Sequence, residues 1–143
     1  MAKVTALALL ATGLTLAGGV CLAAPAAVVN VSLSGETLDK MEMKVDRTEV
    51  PAGEVTFHVV NDSKDLIHEM LVLKPVAGQA LAYDEKEMKI DEEAAGDLGE
   101  VGDLDPGNSG DLTLKLEPGT YLLVCNEAGH YKAGMTAPFL VTR

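Results

Sequence analysis

Apolar runs of five to seven residues, separated by turn residues, fill most of the chain beyond residue 27. Residues 28–34 alternate apolar and polar side chains, residues 41–45 form a shorter run, and residues 54–60 place Val55, Phe57 and Val59 at every second position. Residues 67–73 are mostly aliphatic and stop before Pro75; residues 111–116 repeat leucine at Leu112, Leu114 and Leu116. Residues 120–125 are a nearly continuous apolar run, and residues 138–142 close the chain. A period of two sends alternate side chains to opposite faces of a strand, so each run predicts a strand with one buried face. Pro51-Ala52-Gly53, Asn61-Asp62-Ser63, Asp105-Pro106-Gly107 and Glu117-Pro118-Gly119 are turn sequences between them. Many short strands with regular turns and no internal repeat predict an all-β domain, an antiparallel sandwich or barrel.

One stretch departs from this pattern. Residues 75–105 begin with an Ala- and Gly-containing segment, and from 84 to 105 they hold ten acidic residues against Lys86 and Lys89. This reads as a long acidic insertion between two strands, with a helical turn or two near residues 84–95. Connections of that length inside a compact domain are uncommon and often functional.

The N-terminus has a different character. Lys3 precedes an uncharged run of Ala, Leu, Thr and Gly, and Ala23-Ala24-Pro25-Ala26-Ala27 follows. A charge, an apolar run and a small-residue site in that order predict a signal peptide over 1–26 and an exported, periplasmic domain over 27–143. A retained membrane anchor and a lipidated Cys21 are the rival readings. The cleavage site weighs against the first, and Val20, where a lipobox needs a small residue, weighs against the second. Cleavage removes Lys3 and Cys21, moves the net charge from −11 to −12, and leaves Cys125 as the sole cysteine. Such acidity argues against nucleic acid or an anionic membrane surface as partner. A single thiol in an oxidising compartment has no internal disulfide partner and must be shielded or ligated.

The chemistry concentrates near the C-terminus. Cys125 ends a predicted strand, and His130 and Met135 follow at intervals of five, each preceded by a glycine, Gly129 and Gly134. Thiolate, imidazole and thioether from one short loop make a soft donor set suited to copper. A trigonal His₂Cys set with a weak axial Met is the blue-copper arrangement. The second histidine must come from elsewhere in the chain. Strand phase sends His68 inward with Met70 and Val72, and turns His58 outward with Thr56, away from Val55, Phe57 and Val59. Met41 and Met43 are expected to be strand packing.

The loop Cys-Asn-Glu-Ala-Gly-His-Tyr-Lys-Ala-Gly-Met over 125–135, with His68 upstream after the Asn61-Asp62-Ser63 turn, resembles the cupredoxins. Among them it is most similar to small exported azurin- and plastocyanin-like proteins. The resemblance implies a Greek-key β-sandwich of about eight strands with one copper near one end, held by His68, Cys125, His130 and Met135. It also implies a non-enzymatic one-electron carrier that meets a redox protein, a basic one if the acidic segment steers the encounter. Copper tolerance, storage or delivery, with a copper-exchange partner, is the alternative use of the same ligands. The position after the first ligand histidine departs from the family: it is Glu69 rather than Asn, so Asn61 or Asn126 is left to brace the site. Leu123, Met70 and Ala128 are expected to keep water from the metal. A binuclear site would need a second loop cysteine, and multicopper oxidases use His-x-His pairs; neither is present among the three histidines.

Overall fold

A computed structural model describes residues 26–143; the leader, including Cys21, lies outside them except for its last residue. The strands are β1 (Ala27–Ser34), β2 (Glu42–Val45), β3 (Glu49–Pro51), β4 (Gly53–Asn61), β5 (His68–Leu73), β6 (Tyr83–Asp84), β7 (Lys89–Ile90), β8 (Asp97–Leu104), β9 (Ser109–Leu116), β10 (Gly119–Val124) and β11 (Thr136–Thr142), with one helical turn, α1 (Glu92–Ala95), before β8. A four-stranded sheet in the order β2-β1-β4-β9 faces a five-stranded sheet in the order β3-β11-β10-β5-β8, and β6 and β7 form a separate hairpin. Each predicted run falls on a strand, with Met41, Ile67 and Cys125 just beyond the strand ends. Two pairings differ from the antiparallel expectation: β1 runs parallel to β4, and β3 runs parallel to β11. Between β1 and β4 the chain passes through β3 in the opposite sheet, so it returns in the direction in which it left.

Alternation explains what lies between the sheets. Val29, Val31 and Leu33 of β1, Val55, Phe57 and Val59 of β4, and Tyr121, Leu123, Phe139 and Val141 from β10 and β11 are buried in one core. Phe57 and Phe139 meet edge to face at 5.2 Å, a geometry that adds to the burial of two large side chains. Met43 is buried in this core and Met41 packs against it, which accounts for the methionine pair as packing. On the polar side, Thr56 pairs with Thr113 at 2.8 Å and His58 Nδ1 lies 2.6 Å from Asp111 Oδ1, both on the exposed face.

The acidic stretch is not all insertion. Its helical part is the single turn Glu92–Ala95, capped by the Asp91 side chain, which accepts from the Ala94 N–H. Its final portion, Asp97–Leu104, is the edge strand β8 paired antiparallel to β5. Its apolar residues Leu98, Val101 and Leu104 are three apart, among Gly99, Gly102 and the charges at Asp97, Glu100 and Asp103, so no period of two marks it as a strand. The ladder partner supplies what local preference lacks. The remaining segment, between Leu73 and Asp97, folds back over the outer face of the five-stranded sheet. Ile90 and Ala95, with Leu81 and Tyr83 beside them, pack on Leu71, Leu73 and Val124. This is why β5 is buried at every position.

Gly110 of β9 illustrates how the two sheets close at that edge. A methyl group there would sit 2.6 Å from Val101 Cγ1 and 3.6 Å from Leu104 Cδ2. Val101 is itself buried and branched at Cβ, so it yields poorly. Gly110→Ala is expected to destabilise the protein by about 1–3 kcal/mol through overpacking. Urea denaturation measures this, and a variant as stable as the parent would contradict it.

Candidate metal centre

His68 opens β5, and its position is set by the chain before it. Asn61, fully buried at the end of β4, donates through Nδ2 to the Leu66 carbonyl at 2.8 Å and the Leu104 carbonyl at 2.7 Å. Its Oδ1 accepts from the Ser63 N–H at 2.9 Å and the Ser63 hydroxyl at 2.7 Å. One amide thus ties the β4–β5 turn to the end of β8, and His68 enters its strand from a fixed point.

Cys125 follows directly on β10 and begins a loop that hydrogen-bonds largely within itself. The Cys125 N–H donates to the Met135 carbonyl and the Met135 N–H to the His130 carbonyl, each at 3.0 Å. The His130 N–H reaches the Glu127 carbonyl at 2.9 Å, and Ala133 and Gly134 close further turns on Gly129 and Tyr131. Gly129 and Gly134 have φ of 84° and 91°, left-handed backbone that glycine adopts without strain. The glycines before His130 and Met135 therefore have the role their placement suggests.

The segment between Leu73 and Asp97 holds this loop from outside. The Ile90 N–H donates to Asn126 Oδ1 at 2.7 Å, and Asn126 Nδ2 donates to the Ile90 carbonyl at 3.1 Å and to Glu92 Oε1 at 2.8 Å. The Gly129 N–H donates to the Met88 carbonyl at 2.9 Å. Lys132 binds Glu85 at 2.6 Å and lies 4.2 Å from the centre of the Tyr83 ring. Both asparagines left open as braces therefore act, on different parts. Asn61 fixes the approach to His68, and Asn126 fixes the cysteine loop.

These elements bring three donors together inside the protein. His68 Nδ1 and His130 Nδ1 are 3.2 Å apart, and Cys125 Sγ lies 3.8 Å from the first and 3.4 Å from the second. His68 and Cys125 are fully buried, and His130 is 7% exposed. Met135 is fully buried, and its backbone pairs with both Cys125 and His130. Of the expected shielding residues, Leu123 and Met70 are fully buried, but Ala128 is exposed. The loop turns at Gly129, so Ala128 points outward, and Leu38 packs over Gly129 instead. His58, 42% exposed and paired with Asp111, is remote in role from this cluster.

Burial governs the titration of the donors. It pushes the Cys125 thiol up to about 11, against the pull of the Glu69 and Glu127 backbone N–H groups directed at the sulfur. It pulls His68 down to about 4, helped by the neighbouring His130, and lowers His130 despite the Glu127 charge. These shifts favour a neutral thiol and two neutral imidazoles at pH 7, a donor set with no net charge of its own. Glu69 was visible in the sequence only as a departure from a family pattern. It is buried in the structure, and its carboxyl is pushed up to about 7, with Lys89 acting in the other direction.

No protein-family model and no curated protein matches the sequence. Solved structures are similar to this chain. Auracyanin from Roseiflexus castenholzii is 22% identical, with a TM-score of 0.58 over 85% of this chain and 99% of that one. Auracyanin A from Chloroflexus aurantiacus, a "blue" copper protein, is 21% identical, with a TM-score of 0.58 over 81% and 100% of the two chains. Rusticyanin from Thiobacillus ferrooxidans is 20% identical, with a TM-score of 0.57 over 80% and 77%. What they share with this chain is the fold, a cupredoxin-like β-sandwich.

Proposed function

We propose that this protein is an exported mononuclear type 1 copper protein that carries single electrons, with His68, Cys125, His130 and Met135 as its ligands. The observation that carries the reading is the buried triangle of Cys125 Sγ and the two Nδ1 atoms, with edges of 3.2, 3.4 and 3.8 Å. Metal–nitrogen bonds of about 2.0–2.1 Å and a metal–sulfur bond of about 2.3 Å place nitrogens about 3.5 Å apart, and nitrogen about 3.8 Å from sulfur, in a planar trigonal site. The edges of 3.2, 3.4 and 3.8 Å come close to that size, two of them slightly short. The donor types suit copper, and the buried Met135 of the same loop supplies the axial thioether.

Bound copper supplies a one-electron couple and an intense thiolate-to-metal absorption. The chain's own part is to hold the donors still. His68 is fixed by strand pairing and by Asn61, the loop ligands by their internal hydrogen bonds and by Asn126. Donors held in this way need little rearrangement when an electron arrives or leaves. His130, with its small exposed edge, is the ligand nearest to solvent and the natural point of electron entry. Burial of Cys125 and His68 favours this role over copper storage or delivery, because handing a metal on requires ligands that an incoming acceptor can reach. The partner is another redox protein, and the carboxylates of residues 84–105 favour a basic one.

Adding Cu(II) to the metal-free protein is expected to produce the intense visible band and a reversible one-electron wave. Colourless copper-loaded protein would end this reading. The affinity carries a further signature. Protons compete for the thiol below its raised value of about 11, while both imidazoles are already neutral at pH 7. Copper uptake then releases one proton, and affinity is expected to rise about tenfold per pH unit between about pH 7 and pH 9. Competition with a chelator of known pH dependence measures the slope. A flat profile would mean that the empty site already holds a thiolate.

A further inference from the structure

A second set of ligating side chains lies on the other side of β5. Glu69 follows His68, so its side chain leaves the opposite face of the strand. The β5–β8 ladder pairs His68 with Leu104 and Met70 with Val101, and the irregularity between them leaves Gly102 and Asp103 opposite Glu69. Glu127 reaches the same place from the cysteine loop. One carboxylate oxygen from each of Glu69, Asp103 and Glu127 lies within 4.8 Å of the other two. Glu69 is 6% exposed, and its Oε1 is buried with no hydrogen-bond partner among the described residues. A buried carboxylate oxygen without a partner is costly and calls for a compensating charge. Lys89 compensates in part: its Nζ is 3.6 Å from Glu127 Oε1, but 41% of its side chain is exposed. Asp103 is exposed and leaves a way in from solvent.

The geometry points to a binding site for a hard divalent cation at Glu69, Asp103 and Glu127. Its donors are all carboxylate oxygens, and water completes the shell through the open side at Asp103. Oxygen-only sites select Ca²⁺ or Mn²⁺ over the softer ions that thiolate and imidazole prefer. The two donor sets therefore lie on opposite faces of one strand with opposite chemical preference. Lys89 is the internal competitor, and its exposed side chain is free to swing out when a cation enters. Three carboxylates with a largely aqueous remainder correspond to binding in the range of about 0.1–1 mM.

Mn²⁺ titration of the full chain, followed by the EPR signal of the free ion, tests this directly. Saturation at one ion per chain in that range, with displacement by Ca²⁺, is the expected result. Asp103→Asn is expected to weaken Mn²⁺ binding at least tenfold, and the exposure of this side chain keeps the fold out of the comparison. Lys89→Gln is expected to tighten binding several-fold by removing the competing ammonium. Absence of saturable binding overturns the site, as does an Asp103→Asn variant that binds like the parent. Mn²⁺ binding lost in Cys125→Ser but kept in Asp103→Asn would place the ion at the thiol cluster and overturn it equally.

Discussion

Cys125→Ser is expected to remove the visible charge-transfer band altogether and to lower copper affinity by more than about a hundredfold, beyond the 10–100-fold that outer partners of a metal site are worth. The band requires a sulfur orbital that donates to copper, and a hydroxyl offers none. The affinity falls because a neutral alcohol replaces the one donor that becomes anionic. The fold is expected to survive. Serine is slightly smaller than cysteine, and its hydroxyl is placed to accept from the Glu69 and Glu127 N–H groups that now face the sulfur. Circular dichroism and thermal melting of the metal-free variant verify that loss of colour is not loss of structure. A folded variant that keeps the band would show that Cys125 is not the thiolate donor.

The second large effect is on stability and is expected at Asn61→Ala. The amide makes four hydrogen bonds in a fully buried position. Alanine cannot replace them, and the Leu104 carbonyl and the Ser63 N–H lose the side-chain partners that now satisfy them. Each buried polar group left unpaired costs about 1–3 kcal/mol, so a loss of about 3–5 kcal/mol is expected. That is a large part of the 5–15 kcal/mol typical of a domain. It corresponds to a drop in Tm on the order of 10–20 °C. The loss is expected in the metal-free protein, which separates it from any effect on the ligands. In the copper-loaded variant, freedom gained by the His68 approach should broaden the EPR spectrum. A shift within about 1 kcal/mol would mean that water replaces the amide and that the turn does not depend on it.

Local pattern and tertiary context contributed to different parts of the fold. Strands β1, β4 and β9 are legible because one face of each packs on a core, and a period of two records that burial directly; β10 is legible as a continuous apolar run because apolar side chains pack on both its faces. The phase of β4 sent His58 outward, and the phase of β5 sent His68 inward, as the structure has them. By contrast β8 reads in the sequence as part of an acidic insertion. Its Gly and Asp residues disfavour an isolated strand, and pairing with β5 decides its state. The parallel pairing of β1 with β4 was equally hidden, since it depends on the route through the opposite sheet. The braces Asn61 and Asn126 cannot be assigned from sequence, because the Leu104 carbonyl and the Ile90 backbone that they hold lie 43 and 36 residues away. Ala128 was placed wrongly for a related reason: an apolar residue beside a ligand need not face it when the loop turns at Gly129.

The sequence by itself determined the donor types, the spacing of Cys125, His130 and Met135, and the choice of His68 over His58. Each of these is recorded in residue identity or in the two-residue period of one strand. Only the tertiary structure decided that the acidic segment clamps the cysteine loop, that Glu69 is buried, and that Glu69, Asp103 and Glu127 meet. Those facts depend on which distant segments touch, and contacts between residues far apart in the chain leave no local periodicity to read.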